Sequence, residues 1–155
     1  MSQFHITFKE PIPNRVLIAD DDPVMTHLLA TILKQQQCES VVANDGREAY
    51  RILQADSRFR AAILDMSMPF LEGLDLIHYM RSEKRLMRIP IMMITAETDI
   101  KLMSDSFSAG ATAFLPKPFT AEQLENAIRM LIGSQKRRRT NSKKYTLTFA
   151  YNIAR

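Results

Sequence analysis

Val16-Leu17-Ile18-Ala19-Asp20-Asp21-Asp22-Pro23 carries the pattern that decides the fold. Four apolar residues, two of them β-branched, end abruptly in three acids and a proline. A run that is apolar on both faces suits a parallel strand covered by helices on each side. Asp22 can cap the next helix, and Pro23 fits a first turn, where no N–H partner is needed. Met25, Leu28, Leu29, Ile32 and Leu33 then fall at three-and-four spacing, one stripe of an amphipathic helix.

The unit recurs along the chain. Ser40 to Ala43 reads as a strand, and Asp45-Gly46-Arg47-Glu48 opens a helix with capping-box spacing. A third strand covers Ala61 to Leu64 and ends at Asp65. Leu74, Ile77 and Met80 stripe the helix after it. Ile91 to Ile94 form a fourth strand ending at Thr95, and a helix from about Thr98 to Ser108 carries Met103 and Phe107. Ala113-Phe114-Leu115 is the fifth strand. Thr120-Ala121-Glu122-Gln123 is a second capping box, opening a helix with Leu124, Ala127, Ile128 and Leu131 on one face. Five strand–helix units with short connections predict an α/β fold, a doubly wound five-stranded parallel sheet with helices on both faces.

Composition narrows the function classes. With 155 residues, 46% hydrophobic and 25% charged, the chain suits one globular body with a short remainder. The single cysteine, Cys38, rules out an internal disulfide or a Cys-rich zinc module. No stretch approaches the length of a membrane span, and the first ten residues lack the apolar run of a signal peptide, so a cytoplasmic location is expected. His5, His27 and His78 have no ligand spacing. The net charge of +4 is uneven: residues 14–132 hold 13 basic and 16 acidic side chains, whereas Lys136, Arg137, Arg138, Arg139, Lys143, Lys144 and Arg155 follow without an acid.

In a parallel sheet of this kind ligands bind at the carboxyl ends of the strands. Asp20 and Asp21 follow strand one, Asp65 ends strand three, Thr95 ends strand four and Lys117 follows strand five. Three carboxylates on one rim repel unless a cation intervenes, and hard oxygen ligands in a partly hydrated site suit Mg²⁺. An ammonium group and a hydroxyl beside them make a place for a phosphoryl group on a carboxylate.

These residues, with Asp65-Met66-Ser67-Met68-Pro69, Ile94-Thr95-Ala96 and Phe114-Leu115-Pro116-Lys117-Pro118, resemble the receiver domain of bacterial two-component response regulators, stand-alone type. The 30 residues from Asp65 to Thr95 and the 22 from Thr95 to Lys117 also fit. The resemblance covers about residues 14–133 and implies a (βα)5, flavodoxin-like arrangement. It implies that Asp65 is the phosphoacceptor, taking its phosphoryl group from a sensor histidine kinase or histidine phosphotransferase. Asp20, Asp21, Asp65 and the Ser67 backbone carbonyl would hold Mg²⁺. Lys117 and Thr95 would meet the phosphoryl oxygens, and Phe114 would swing inward with Thr95. That motion would alter the helix 4–strand 5–helix 5 face offered to a downstream protein. Ser67 and Glu97 would tune hydrolysis, and Lys117-Pro118 is a candidate cis peptide. The implied role is a switch, not a turnover enzyme.

Two other readings stay open. One is a receiver-fold interaction module acting without phosphorylation, through the basic tail. The other is a phosphatase of the haloacid-dehalogenase type, which would need an acid where Ser67 stands. The ends divide into an extension, 1–13, and a tail, 134–155, too short for an output domain unless the chain is part of a longer one. Residues 136–144 could touch nucleic acid, though a flexible linker is the plainer reading. Phe4, Ile6 and Phe8, and Tyr145, Leu147, Phe149, Tyr151 and Ile153, alternate with period two. Extra strands are expected there, pairing with each other, with the sheet edge or with a second subunit in a homodimer.

Overall fold

Alternation of apolar strands with amphipathic helices builds a three-layer sandwich. The computed structural model describes residues 14–96 and 99–137, the last four by their main chain alone. The expected terminal strands, Glu97, Thr98 and most of the basic tail lie outside the described residues. In chain order the elements are β1 (Arg15–Ala19), α1 (Pro23–Gln35), β2 (Glu39–Ala43), α2 (Gly46–Ala55), β3 (Ala61–Asp65), α3 (Gly73–Ser82), β4 (Ile91–Thr95), α4 (Ile100–Ala109), β5 (Ala113–Pro116) and α5 (Ala121–Arg137). Every strand pair is parallel, in the order β2-β1-β3-β4-β5. Order reverses between β1 and β3, and the crevice at their carboxyl ends is where such sheets place ligands.

Successive residues of the central strands serve opposite cores. Leu17, Ala62, Leu64, Ile91 and Met93 pack with Leu53, Leu76, Ile77 and Met80 of α2 and α3. Val16, Ile18, Ile63, Met92 and Ile94 pack with Leu29, Ile32 and Leu33 of α1 and Leu124, Ile128 and Leu131 of α5. β3 and β4 are buried throughout, which is why their sequences read as unbroken apolar runs.

Three local expectations shift. Leu28 is 37% exposed, while Thr26 is buried with Leu29, Ile32 and Leu33. The Thr26 hydroxyl donates to the Pro23 carbonyl at 3.1 Å, and a satisfied hydroxyl can enter the core. At α2 the box is only half formed. Asp45 accepts from the Glu48 N–H at 2.7 Å, but the Glu48 carboxylate reaches one residue further back, to the Asn44 N–H at 2.7 Å. At α5 it is complete: Thr120 accepts from the Gln123 N–H at 3.1 Å, and Gln123 accepts from the Thr120 N–H at 2.9 Å. Helix α4 takes Asp99 as its cap, and α5 runs four residues past 133.

At the amino edge, side chains tie helix ends to the loops. Arg15 meets Asp56 at 2.6 Å, and Arg58 meets the same carboxylate at 3.1 Å. Arg81, at the end of α3, donates to the carbonyls of Met87, Ile89 and Gly110 at 2.7 to 3.0 Å. Gly110 closes α4 in the left-handed region, with φ +118°.

Candidate functional site

The two adjacent strands at the reversal set down the central acids. Asp20 leaves β1 almost buried, at 2% exposure, and one oxygen of its carboxylate accepts from the Asp22 N–H at 2.8 Å. Asp65, the last residue of β3, is 8% exposed. Asp21 is exposed beside them. One carboxylate oxygen from each of Asp20, Asp21 and Asp65 lies within 4.8 Å of the others, a donor set of hard oxygens that fits Mg²⁺.

The geometry of Asp65 depends on a glycine. Gly73, the first residue of α3, donates its N–H to the Met66 carbonyl at 2.9 Å. A Cβ at Gly73 would stand 2.3 Å from the Asp65 carbonyl oxygen and 2.5 Å from the Met93 methyl. Only glycine lets α3 begin so close to the end of β3. The sequence reading passed over Gly73, and its cue was a glycine just ahead of an apolar helical stripe.

Burial and mutual repulsion act on the acids. Desolvation pushes the Asp65 carboxyl up to about 6, with the charges of Asp20 and Asp21 adding to the rise, while Lys117 and the Met66 N–H hold it lower than it would otherwise stand. Asp20 is also raised, first by burial, against a lowering hydrogen bond from Asp22 and the charge of Lys117. Both carboxylates therefore hold charge at a cost that a cation in the cup would lift.

Thr95, Lys117 and Ser67 stand at or just past the carboxyl ends of their strands, whereas Phe114 lies within β5, paired with Met93. Thr95 is 1% exposed at the end of β4, and its carbonyl accepts from the Lys117 N–H at 2.8 Å. Lys117 is half-buried, and the Lys117–Pro118 peptide is cis, as the sequence suggested. Ser67 is exposed in the loop after β3. Phe114 is half-buried on the α4 side of β5, its ring 6.4 Å from that of Phe107. Among the described residues no helix is long and apolar enough to cross a membrane.

Comparison with known proteins gives one answer. The family model described as the response regulator receiver domain matches residues 16–129. The chain is 32% identical over 121 residues to the chemotaxis protein CheY1 of Helicobacter pylori, an alignment covering 77% of this chain and 98% of that protein. It is 35% identical over 121 residues to the response regulator MprA of Mycolicibacterium vanbaalenii, covering 78% of this chain but 51% of that protein. The structure of the chemotaxis response regulator CheY4 of Vibrio cholerae superposes with a TM-score of 0.70 at 31% identity, over 76% of this chain and 97% of that one. With the fold, the strand order and the family match in agreement, the chain belongs to the response regulator receiver domains of two-component signalling.

Proposed function

We propose that the protein is a Mg²⁺-dependent phosphoacceptor, with Asp65 taking a phosphoryl group from the phosphohistidine of a sensor histidine kinase or histidine phosphotransferase. The observation that carries this reading is the meeting of Asp20, Asp21 and Asp65 within 4.8 Å at the β1/β3 crevice. A carboxylate oxygen of Asp65 attacks phosphorus, the P–N bond breaks, and its electron pair stays on the imidazole. Asp20, Asp21, Asp65 and the Ser67 carbonyl are the groups that would hold the metal. Mg²⁺, when bound, supplies charge neutralisation between the carboxylates and the incoming phosphoryl oxygens.

The chain's own residues do the rest. Lys117 supplies a fixed cation whose field already reaches Asp65 and Asp20. Thr95 offers a hydroxyl at the end of the neighbouring strand. New contacts from Thr95 and Lys117 to the phosphoryl oxygens favour one of two arrangements of the β4–α4 connection and the Phe114 ring, with couplings of about 1–3 kcal/mol. The face altered is α4–β5–α5, where a downstream protein binds. Ser67 stands where a phosphatase of the haloacid-dehalogenase type would need its general acid, so the role is acceptance and signalling rather than turnover.

Labelled acetyl phosphate tests this directly. Wild type should take up label only with Mg²⁺, and Asp65→Asn should take up none. Equal labelling of the Asn variant would overturn the assignment.

A further inference from the structure

We infer that Phe70 is a docking anchor for the phosphohistidine-bearing protein, held at the rim of the acidic cup in a backbone conformation that works against the stability of the free domain. The inference rests on the proposed acceptor role of Asp65 and adds the partner contact that role requires.

Phe70 has φ +73°, in the left-handed region that favours glycine and asparagine. A bulky aromatic residue there is strained, and such strain persists only where the surroundings impose it. The surroundings are visible on both flanks. The Gly46 N–H donates to the Pro69 carbonyl at 3.3 Å, and a Cβ on Gly46 would fall 1.9 Å from the Leu71 oxygen. Gly73 is equally tight against the end of β3. The loop from Met66 to Glu72 is therefore clamped between α2 and α3, and Phe70 sits at its outward turn.

Burial does not compensate for this conformation. Phe70 is 65% exposed, and its ring meets the Arg47 guanidinium at 3.8 Å, an arrangement that covers one face and leaves the other to solvent. Two more large apolar side chains stand exposed at the same end of the sheet: Val24 at 75%, opening α1, and Ile100 at 80%, opening α4. A protein that brings phosphorus into contact with Asp65 must cover this rim. Phe70 follows Asp65 by only five residues in the same loop, so a protein seated over Asp65 comes within reach of that loop and its exposed ring. Acetyl phosphate is small enough to reach Asp65 without touching the ring.

Phe70→Gly separates the two tasks. It relieves the strain at positive φ but deletes the Arg47 contact and frees the unfolded chain, so the melting temperature of the metal-free chain should stay within about 3 °C of wild type. Labelling by acetyl phosphate with Mg²⁺ should stay within about twofold of wild type. Phosphotransfer from the autophosphorylated, labelled histidine kinases of the source organism should slow about tenfold for the donor that wild type uses. Phe70→Tyr, which keeps the ring, should transfer like wild type. Undiminished transfer to Phe70→Gly would overturn the inference. So would a matching loss of acetyl phosphate labelling, which would assign the ring to holding the loop. If wild type accepts from acetyl phosphate but from no kinase, the docking role falls while Asp65 stands as the acceptor. If it accepts from neither, the acceptor role itself falls and the docking role with it.

Discussion

A carboxylate pushed up to about 6 by burial and by its neighbours is a charge the folded chain holds reluctantly at neutral pH. For Asp65 the unfolded value is the ordinary 3.8, so the folded state binds its proton more tightly. Its contribution to stability is fully present below 3.8 and is lost as pH rises through about 6. At pH 7.5 without Mg²⁺, Asp65→Asn should therefore be more stable than wild type by about 1–2 kcal/mol, allowing for screening at the open rim. Urea denaturation of both proteins checks this, and saturating Mg²⁺ should remove or reverse the difference, because the Asn variant loses a ligand. Asp20, Asp21, Asp65, Thr95 and Lys117 were legible as a group because each follows or ends a strand, and a parallel sheet gathers such positions on one rim. What Asp65 feels there was not legible, since desolvation depends on packing from several elements.

Strands and helices respond to different information. β1, β3 and β4 are apolar on both faces, and their burial follows from that pattern alone. Helix stripes blur at their margins: Leu28 and Thr26 change places because one hydroxyl finds a carbonyl within its own turn. The contact between α3 and β3 could not be read at all, since it is set by the approach of two segments. Gly73→Ala tests that contact. The added methyl group must displace the Asp65 carbonyl or the Met93 side chain, at about 1–3 kcal/mol in stability. It should also slow acetyl phosphate labelling by shifting the acceptor, and unchanged labelling would show that the loop absorbs the strain. At the other end of the chain, Thr120→Ala removes one half of the α5 capping box, and thermal melts should report a loss of about 1 kcal/mol with labelling intact.

Across the whole molecule, acids at opposite edges of the sheet pull in opposite directions with pH. At the carboxyl edge Asp65 and Asp20 favour low pH. At the amino edge the Arg58 and Arg15 guanidinium groups hold the Asp56 carboxyl far below its usual range, a contribution present above 3.8 and lost as pH falls further. These groups should therefore make metal-free stability peak near pH 4 and decline as pH rises toward 6, and saturating Mg²⁺ should move the optimum upward; a thermal-shift series across pH, with and without the ion, reads both. The four hydrogen bonds of Arg81 have a mechanical consequence for the same body. Two of them fasten the Gly110 end of α4 to the tail of α3 and the other two brace Arg81 on the Met87 and Ile89 carbonyls, while Ile100 opens the helix with its side chain in solvent. A cylinder pinned at one end can only pivot, so displacement on activation should grow from Ala109 toward Ile100. Amide exchange along the helix should be slowest near Ser106 and fastest in its first turn, and Arg81→Ala should turn the pivot into a slide by loosening the pinned end.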